Sequence, residues 1–585
     1  MYNAIRVSQE QRPLRLAAAS PRVVPGDVRA NTEAIIQCIR RADGLRVDFL
    51  ALPALCLTGA TLGALYAYDV LLNAASGALE EICRAVRNTK VTVSVGLPYR
   101  IDDEVLSCAA ILRSDRVYAI LPLSQGESPF GFTPYLCGRR AMPLTPIPRL
   151  RVVGDVIFSA MDASPGDVII SQASANATAS SFRKTLEALR LCAARTGSAI
   201  AYAAPNPGES GTSFVFDGCC AIAAGGEILA SACMEEEPFA YADIDAGALC
   251  PFEPFFHPAA QTSYLPEDET LAREDCVRIL ALQAAALVRR ASHIGSKGFV
   301  IGVSGGLDSA LALLAAVAAA EKLGMPSSQV VGISMPGFGS SRRTRSNAKA
   351  LVEALGCTYR EIDITASCRQ HFMDIGQDEN EHNVVFENAQ ARERTQILLD
   401  VSNKEGLLDV GTGDLSEAAL GWTTFGGDHL AQYGVNASIP KTVMRRVVAV
   451  AKERFVNAAP ILQDILDTPV SPELLPGKDG EIAQKTEELI GSYTLHDLFI
   501  YEMVVNNKGP RGLYEAAREK TDFEETEIYR VLGVFLKRFF AQQFKRVCAP
   551  EAPLILLSIA PVCFPFPSDM RAGAFWEEYE AMSRD

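Results

Sequence analysis

The stretch FVIGVSGGLDS at 299–309, followed by ALALLAAVAAAEKLG, restricts the possible folds of this chain more than any other segment. It reads as a buried strand, a glycine turn and a helix start, the layout that brings an anion to backbone N–H groups at a helix N-terminus. Gly305 and Gly306 clear side chains from the path of such an anion. Ser304 and Ser309 add hydroxyl donors, and the helix start at Leu307 adds its partial positive charge. Asp308 is the odd member. A carboxylate in an anion cradle is unfavourable unless a cation such as Mg²⁺ stands between it and the phosphate oxygens. The loop has neither the G-x-x-x-x-G-K-[ST] spacing nor the GxGxxG spacing of the common phosphate loops. The plain alternative is a tight strand-to-helix turn that holds no ligand.

A chain of 585 residues, at ~150 residues per domain, suggests two to four domains, each long enough for its own core. Between residue 15 and about 245, short β-rich runs alternate with helical stretches: LRLAAAS at 14–20, VDFLALP at 47–53, VTVSVGLP at 91–98, VIISQAS at 168–174 and SAIAYAA at 198–204. That is a layered α/β pattern. The proline-rich segment PFEPFFHPAAQTSYLP at 251–266 separates it from a second α/β block. The expected division is therefore 1–250, a linker at 251–269, and 270–585. SPELLPGKDGEIAQKT at 471–486 combines prolines, glycines and charges and reads as a mobile loop or lid.

Composition narrows the partners. Lys plus Arg is 55 against 70 for Asp plus Glu, a formal charge of −15, which opposes binding to nucleic acid or an anionic membrane. Fifteen cysteines without a repeated zinc spacing read as reduced thiols in a cytoplasmic protein. The N-terminus is interrupted by Glu10, Arg12 and Arg15 and does not read as a signal peptide. The apolar run 310–320 is too short to cross a bilayer, which takes ~20 residues.

Several blocks together carry a resemblance. SGGLDS is similar to the pyrophosphate loop of the N-type ATP pyrophosphatases. ENAQARERTQIL at 387–398, VGTGDLSEAALGW at 410–422, GDHLAQYGVNASIPKT at 427–442, ILDTPVSPELLP at 465–476 and KRFFAQQFKR at 537–546 resemble the synthetase domain of glutamine-dependent NAD⁺ synthetases. The resemblance implies an α/β chain with a nitrilase-like α-β-β-α sandwich in front and a Rossmann-like parallel sheet, of the adenine-nucleotide alpha-hydrolase kind, behind. It also implies ATP-dependent amidation of deamido-NAD through an acyl-adenylate, with Mg²⁺, in a homo-oligomer, either dimer or octamer. By position in the family pattern, Ser304, Gly305, Gly306, Leu307, Asp308 and Ser309 hold ATP phosphates, Thr412 contacts ATP and Lys441 reaches a phosphate. Asn388, Arg392, Glu417, Trp422, Thr423, Thr424, Phe425 and Lys545 fall at the dinucleotide substrate, and Asp308 and Glu417 at the metal. Each also has a plain reading. Thr412, Asp414 and Ser416 suit turns and helix caps, Trp422 suits a core, and Arg392 and Lys545 suit solvated helix faces.

The front half resembles the nitrilase-type glutaminase domain of the same family, but its chemistry differs. A nitrilase needs a cysteine nucleophile, a glutamate base and a lysine that stabilises the oxyanion. In this sequence Ala54 stands at the base position and Leu123 at the lysine position. Ser159 stands at the nucleophile position, or Phe158 if the register slips by one. Cys56, Cys192, Cys219 and Cys220 read as packed thiols, and Ser181 with Lys184 as helix-face neighbours. Three functions follow: an NAD⁺ synthetase that takes ammonia directly, a glutamine-dependent synthetase with a working glutaminase, or a nucleotide-binding regulatory subunit without activity.

Overall fold

The computed structural model describes residues 13–101, 104–123, 150–154, 165–211, 213–245, 249–251, 263–339, 342–468 and 486–582. Phe158, Ser159 and all but the end of the 471–486 loop lie outside these residues. The chain divides into two compact units, residues 1–210 with 216–259, and residues 211–215 with 260–585. A division at a single linker places the strip 211–215 with the front half, whereas it belongs to the second unit. There the Ser213 carbonyl accepts the Leu554 N–H at 2.8 Å.

The described strands of the first unit are β1 Leu14–Ala19, β2 Phe49–Ala51, β3 Thr92–Ile101, β4 Glu104–Arg113, β5 Arg116–Pro122, β6 Leu150–Val153, β7 Val168–Gln172, β8 Ala199–Ala203, β9 Cys220–Ala224, β10 Glu227–Ala232 and β11 Phe239–Ile244. They form two mixed sheets, ordered β11-β1-β2-β3-β4-β5 and β10-β9-β8-β7-β6. Alternation assigns their faces: Ala17 and Ala19 of β1 pack with one cluster, Leu16 and Ala18 with another. The first cluster joins β3 to Ile35 and Ile39 of the helix Val28–Gly44 and to Leu79 and Ile82 of the helix Asp69–Val86. The second lies between the sheets, where Leu16 and Ile111 meet Ile170 and Ile222. A third packs Leu189 and Ala193 of the helix Ser181–Thr196 onto Ile169 and Ile200. The layers run helix, sheet, sheet, helix, as the α-β-β-α expectation requires.

The second unit is built on β12 Phe299–Gly302, β13 Val330–Ser334, β14 Thr358–Glu361, β15 Leu408–Gly411 and β16 Tyr433–Gly434. All pairs are parallel, in the order β14-β13-β12-β15-β16. The chain builds outward from β12 to β13 and β14 on one side and to β15 and β16 on the other. The gap between β12 and β15 is thus the topological switch point, where loops leaving the C-terminal strand ends open a crevice. The helix Leu307–Lys322 follows β12 and packs against the sheet and the helices Glu269–Ile294 and Lys441–Ala451. Ala310 to Ala320 are all buried, which is why this helix is apolar on every face.

Candidate functional site

The glycine loop leaves β12 at the switch point. Gly305 has φ +82°, a left-handed conformation that favours glycine, and a Cβ there would stand 2.2 Å from the Thr344 carbonyl oxygen. Gly306 caps the helix Leu307–Lys322. Its N–H donates to Ser304 Oγ at 3.3 Å, and Ser309 Oγ donates to its carbonyl at 3.1 Å. Leu307 turns into the core, so its part in the loop is made by backbone alone.

The loop after β15 supplies the second wall. Asn436 ties the two together: its Nδ2 donates to the carbonyls of Asp308 and Thr412, each at 3.0 Å, while its Oδ1 accepts from Gln283 at 2.8 Å. Asp414 caps the short helix Leu415–Leu420 by accepting the Glu417 N–H at 2.8 Å. The cap reading holds for Asp414. Asp308, Asp414 and Glu417 each offer an oxygen within 4.8 Å of the other two, a set of hard donors that suits a divalent cation such as Mg²⁺.

Lys441 lies among these carboxylates. Its Nζ is 2.6 Å from Asp308, 2.6 Å from Asp414 and 3.0 Å from Glu417, and the residue is 1% exposed. The family pattern puts this lysine at a phosphate, whereas here its ammonium is spent on the acidic cluster. Burial pushes Asp414 and Glu417 above the usual carboxylate range, with the Lys441 charge pulling back. Burial opposes the Lys441 charge, but the three carboxylates outweigh it and hold its pKa above the ordinary value.

Behind the cluster, Asp497 joins two helix starts. It accepts from the Ser416 hydroxyl and from the N–H and hydroxyl of Thr442, at 2.9 and 2.7 Å. Burial lifts its pKa to about 6 against those bonds. Its neighbour His496 is fully buried, with Nε2 2.9 Å from the Ile490 carbonyl, and burial drops its pKa to about 4. An unfolded histidine takes up its proton near 6.5, so between pH 6.5 and 4 the unfolded chain binds more protons and stability falls as pH is lowered. His496→Gln is expected to remove this component, on the order of 3 kcal/mol by pH 4 at ~1.4 kcal/mol per pKa unit. Both tryptophans, Trp422 and Trp576, lie in the second unit, so urea unfolding followed by their fluorescence isolates it. Equal pH slopes for the two chains would contradict the assignment.

The remaining predicted residues meet along the neighbouring loop. Thr424 donates to Asn388 Oδ1 at 2.9 Å, and Arg392 Nε donates to the Phe425 carbonyl at 3.2 Å. Lys545 Nζ donates to the carbonyls of Gly421 and Thr423 at 2.8 and 2.6 Å. Lys545 is therefore no solvated helix charge. Burial, followed by Arg538, lowers its pKa. Trp422 is held under Arg538, whose guanidinium lies 4.7 Å from the ring centroid. Phe425 remains 47% exposed. Sequence reasoning missed Asn436, Asp497 and Arg546. Arg546 binds the Ala418 and Ala419 carbonyls at 3.1 and 3.0 Å and faces the Phe539 ring. Asn436 and Arg546 fall inside the blocks quoted above, but their partners lie too far along the chain to be read from spacing.

In the first unit, Ala54 and Leu123 are buried in the apolar cluster between the sheets, at 2% and 1% exposure. The turn around them is tight. Leu55 has φ +55°, and a Cβ on Gly96 would stand 2.3 Å from the Pro53 carbonyl oxygen. Cys56 is fully buried, and burial pushes its thiol well up. Burial likewise raises Cys108 to about 12 and Cys192 to about 11.

Comparisons with known proteins bear on the family and the fold. The model of the NAD synthase family matches residues 281–546, which span β12 to β16 and every carboxylate of the cluster. The glutamine-dependent NAD(+) synthetase of Mycobacterium leprae (strain TN) is 28% identical, over 98% of each chain. The NH(3)-dependent NAD(+) synthetase of Pyrobaculum aerophilum is 30% identical over 254 residues, covering 43% of this chain and 88% of that one. In fold, the chain is similar to a glutamine-dependent NAD(+) synthetase from Cytophaga hutchinsonii, with a TM-score of 0.80 at 17% identity over 97% of this chain and 100% of the other. No described helix is long and apolar enough to cross a membrane. The chain belongs to the NAD(+) synthetase family, ATP-dependent ligases of NAD biosynthesis that form a carbon–nitrogen bond.

Proposed function

We propose that this chain amidates the nicotinate carboxylate of deamido-NAD, drawing its energy from ATP and its nitrogen from ammonia directly. A carboxylate is a poor electrophile because its charge is delocalised and its leaving group would be oxide. Attack by a carboxylate oxygen on the α-phosphate of ATP forms a new O–P bond and expels pyrophosphate. Ammonia then adds to the acyl carbon, AMP leaves with the carboxylate oxygen, and a proton passes to solvent. Positioning and charge neutralisation supply most of the catalysis.

The chain's own groups have defined parts in this reading. The loop Ser304–Ser309 offers backbone N–H and hydroxyl donors at the helix start, which suits phosphate oxygens. The Thr412 loop forms the facing wall for ATP. Asn388, Arg392, Trp422, Thr423, Thr424, Phe425 and Lys545 frame the dinucleotide. Asp308 and Glu417, with Asp414 beside them, would hold Mg²⁺, which neutralises phosphate charge when bound. A homo-oligomer is part of the proposal, and fifteen cysteines without a repeated spacing suit a reducing cytoplasmic setting.

The observation that carries direct ammonia use is the burial of Ala54 and Leu123 in one apolar cluster. No carboxylate or ammonium is available from those two positions to activate a nucleophile or hold an oxyanion. The rival reading, glutamine dependence, draws on the name of the Mycobacterium leprae relative and its 98% coverage. NAD⁺ formation by the full chain with ATP and Mg²⁺ tests both. The expected result is turnover with ammonium and none above background with glutamine. Equal support by glutamine would overturn direct ammonia use, and no product with either donor would favour a regulatory subunit.

A further inference from the structure

Lys441 begins the helix Lys441–Ala451, and its backbone N–H donates to Ser416 Oγ at 2.9 Å. The side chain is 2% exposed, and its ammonium has three donors and three carboxylates at hydrogen-bonding or ion-pair distance, Asp308, Asp414 and Glu417. Two of those contacts, to Asp308 and Glu417, are hydrogen bonds, and the third is an ion pair with Asp414, so the ammonium's charge is committed to the cluster. A divalent cation bound at about 2.1 Å by these carboxylates would crowd the ammonium, because both would draw on the same three carboxylates. The charges point the same way. Three carboxylates and one ammonium sum to −2 when all are ionised, which a divalent ion balances, but the ammonium's charge repels that ion for as long as Lys441 stays among them.

We infer that Lys441 is the resident counter-cation of this cluster, and that a divalent ion enters by exchanging with its ammonium, which is thereby released toward the ATP phosphates. The inference rests on the proposed placing of Mg²⁺ at Asp308 and Glu417. Without nucleotide, the ion must strip Lys441 of three partners and provides it with none, so binding to the nucleotide-free chain is weak. With phosphates present, the released ammonium gains new acceptors, and metal and nucleotide reinforce one another reciprocally. Lys441 is on this view a positioning residue whose charge holds the site closed until both ligands arrive.

The test uses the full, nucleotide-free chain with Mn²⁺ as the probe, free ion being read by electron paramagnetic resonance. Lys441→Gln is expected to bind Mn²⁺ about 10-fold more tightly than the parent chain, within the usual range of such couplings. Asp414→Asn added to Lys441→Gln should lower that affinity again, which places the gain at the cluster. A thermal scan guards against misfolding: Lys441→Gln should start less stable than the parent and gain more from Mn²⁺. Equal or weaker Mn²⁺ binding by a folded Lys441→Gln chain overturns the exchange, as does an equal thermal gain in both chains. Those results would leave the amidation reading standing if the parent chain turns over ammonium. Absence of turnover in the parent would defeat the amidation reading whatever the Mn²⁺ titration gives.

Discussion

Asp308→Asn is expected to lower kcat/KM for ammonium-driven NAD⁺ formation by about 10²–10³-fold, the loss typical of removing one preorganised electrostatic group. The substitution preserves shape and removes charge. Asp308 is the member of the cluster on the glycine loop, and its carboxylate lies 2.6 Å from Lys441 at the N-terminus of a helix whose dipole favours an anion. Lys441 keeps Asp414 and Glu417 as partners, so the fold should persist. Steady-state rates at saturating ammonium, paired with a thermal scan, separate activity from stability. A fall of less than about threefold would exclude a catalytic part for this carboxylate, since a transition-state contact is worth far more.

Gly305→Ala should be among the most damaging single methyls in the second unit. The left-handed φ of +82° penalises any Cβ, and this one would stand 2.2 Å from the Thr344 oxygen and 2.9 Å from its carbonyl carbon. Backbone cannot swing aside as a side chain can. The expected cost is roughly 2–4 kcal/mol, the sum of left-handed strain and local overpacking, together with weakened ATP binding. Gly306→Ala is the control, because its Cβ meets only Ser304 Oγ at 3.3 Å and its φ of −93° is ordinary. Urea unfolding read by tryptophan fluorescence should shift strongly for Gly305→Ala and little for Gly306→Ala. Similar shifts for both would mean that the close approach to Thr344 is not what fixes this turn.

Local chemistry was legible in the sequence because it acts over a few residues. Short β-rich runs placed β1, β3 and β7, an unbroken apolar run marked the helix Leu307–Lys322, and two glycines marked the turn before it. Long-range pairing was not legible. Asp497 reaches Ser416 across 81 positions, Arg546 reaches Ala418 across 128, and Asn436 reaches Asp308 across 128. No local period encodes such partners. Asp414 reads as a helix cap because it is one, and only the arrival of Lys441 from another helix shows its second part. Lys441 itself illustrates the limit of a family pattern: the resemblance implies a phosphate for it, and nothing in the local sequence marks the three carboxylates that its ammonium meets. The strip 211–215 shows the same limit for domain edges, because a segment too short to carry a composition signal follows its packing partners.

The reading of the front half rests on two side chains, Ala54 and Leu123, alkyl groups buried in an apolar cluster at the positions where the resemblance implies a carboxylate and an ammonium. The most direct measurement is glutamate released from glutamine by the intact chain while its synthetase half is supplied with ATP, Mg²⁺ and deamido-NAD. The expected result is release no faster than in buffer alone, beside steady NAD⁺ formation once ammonium is added. Sustained glutamate release that keeps pace with NAD⁺ formation would contradict it.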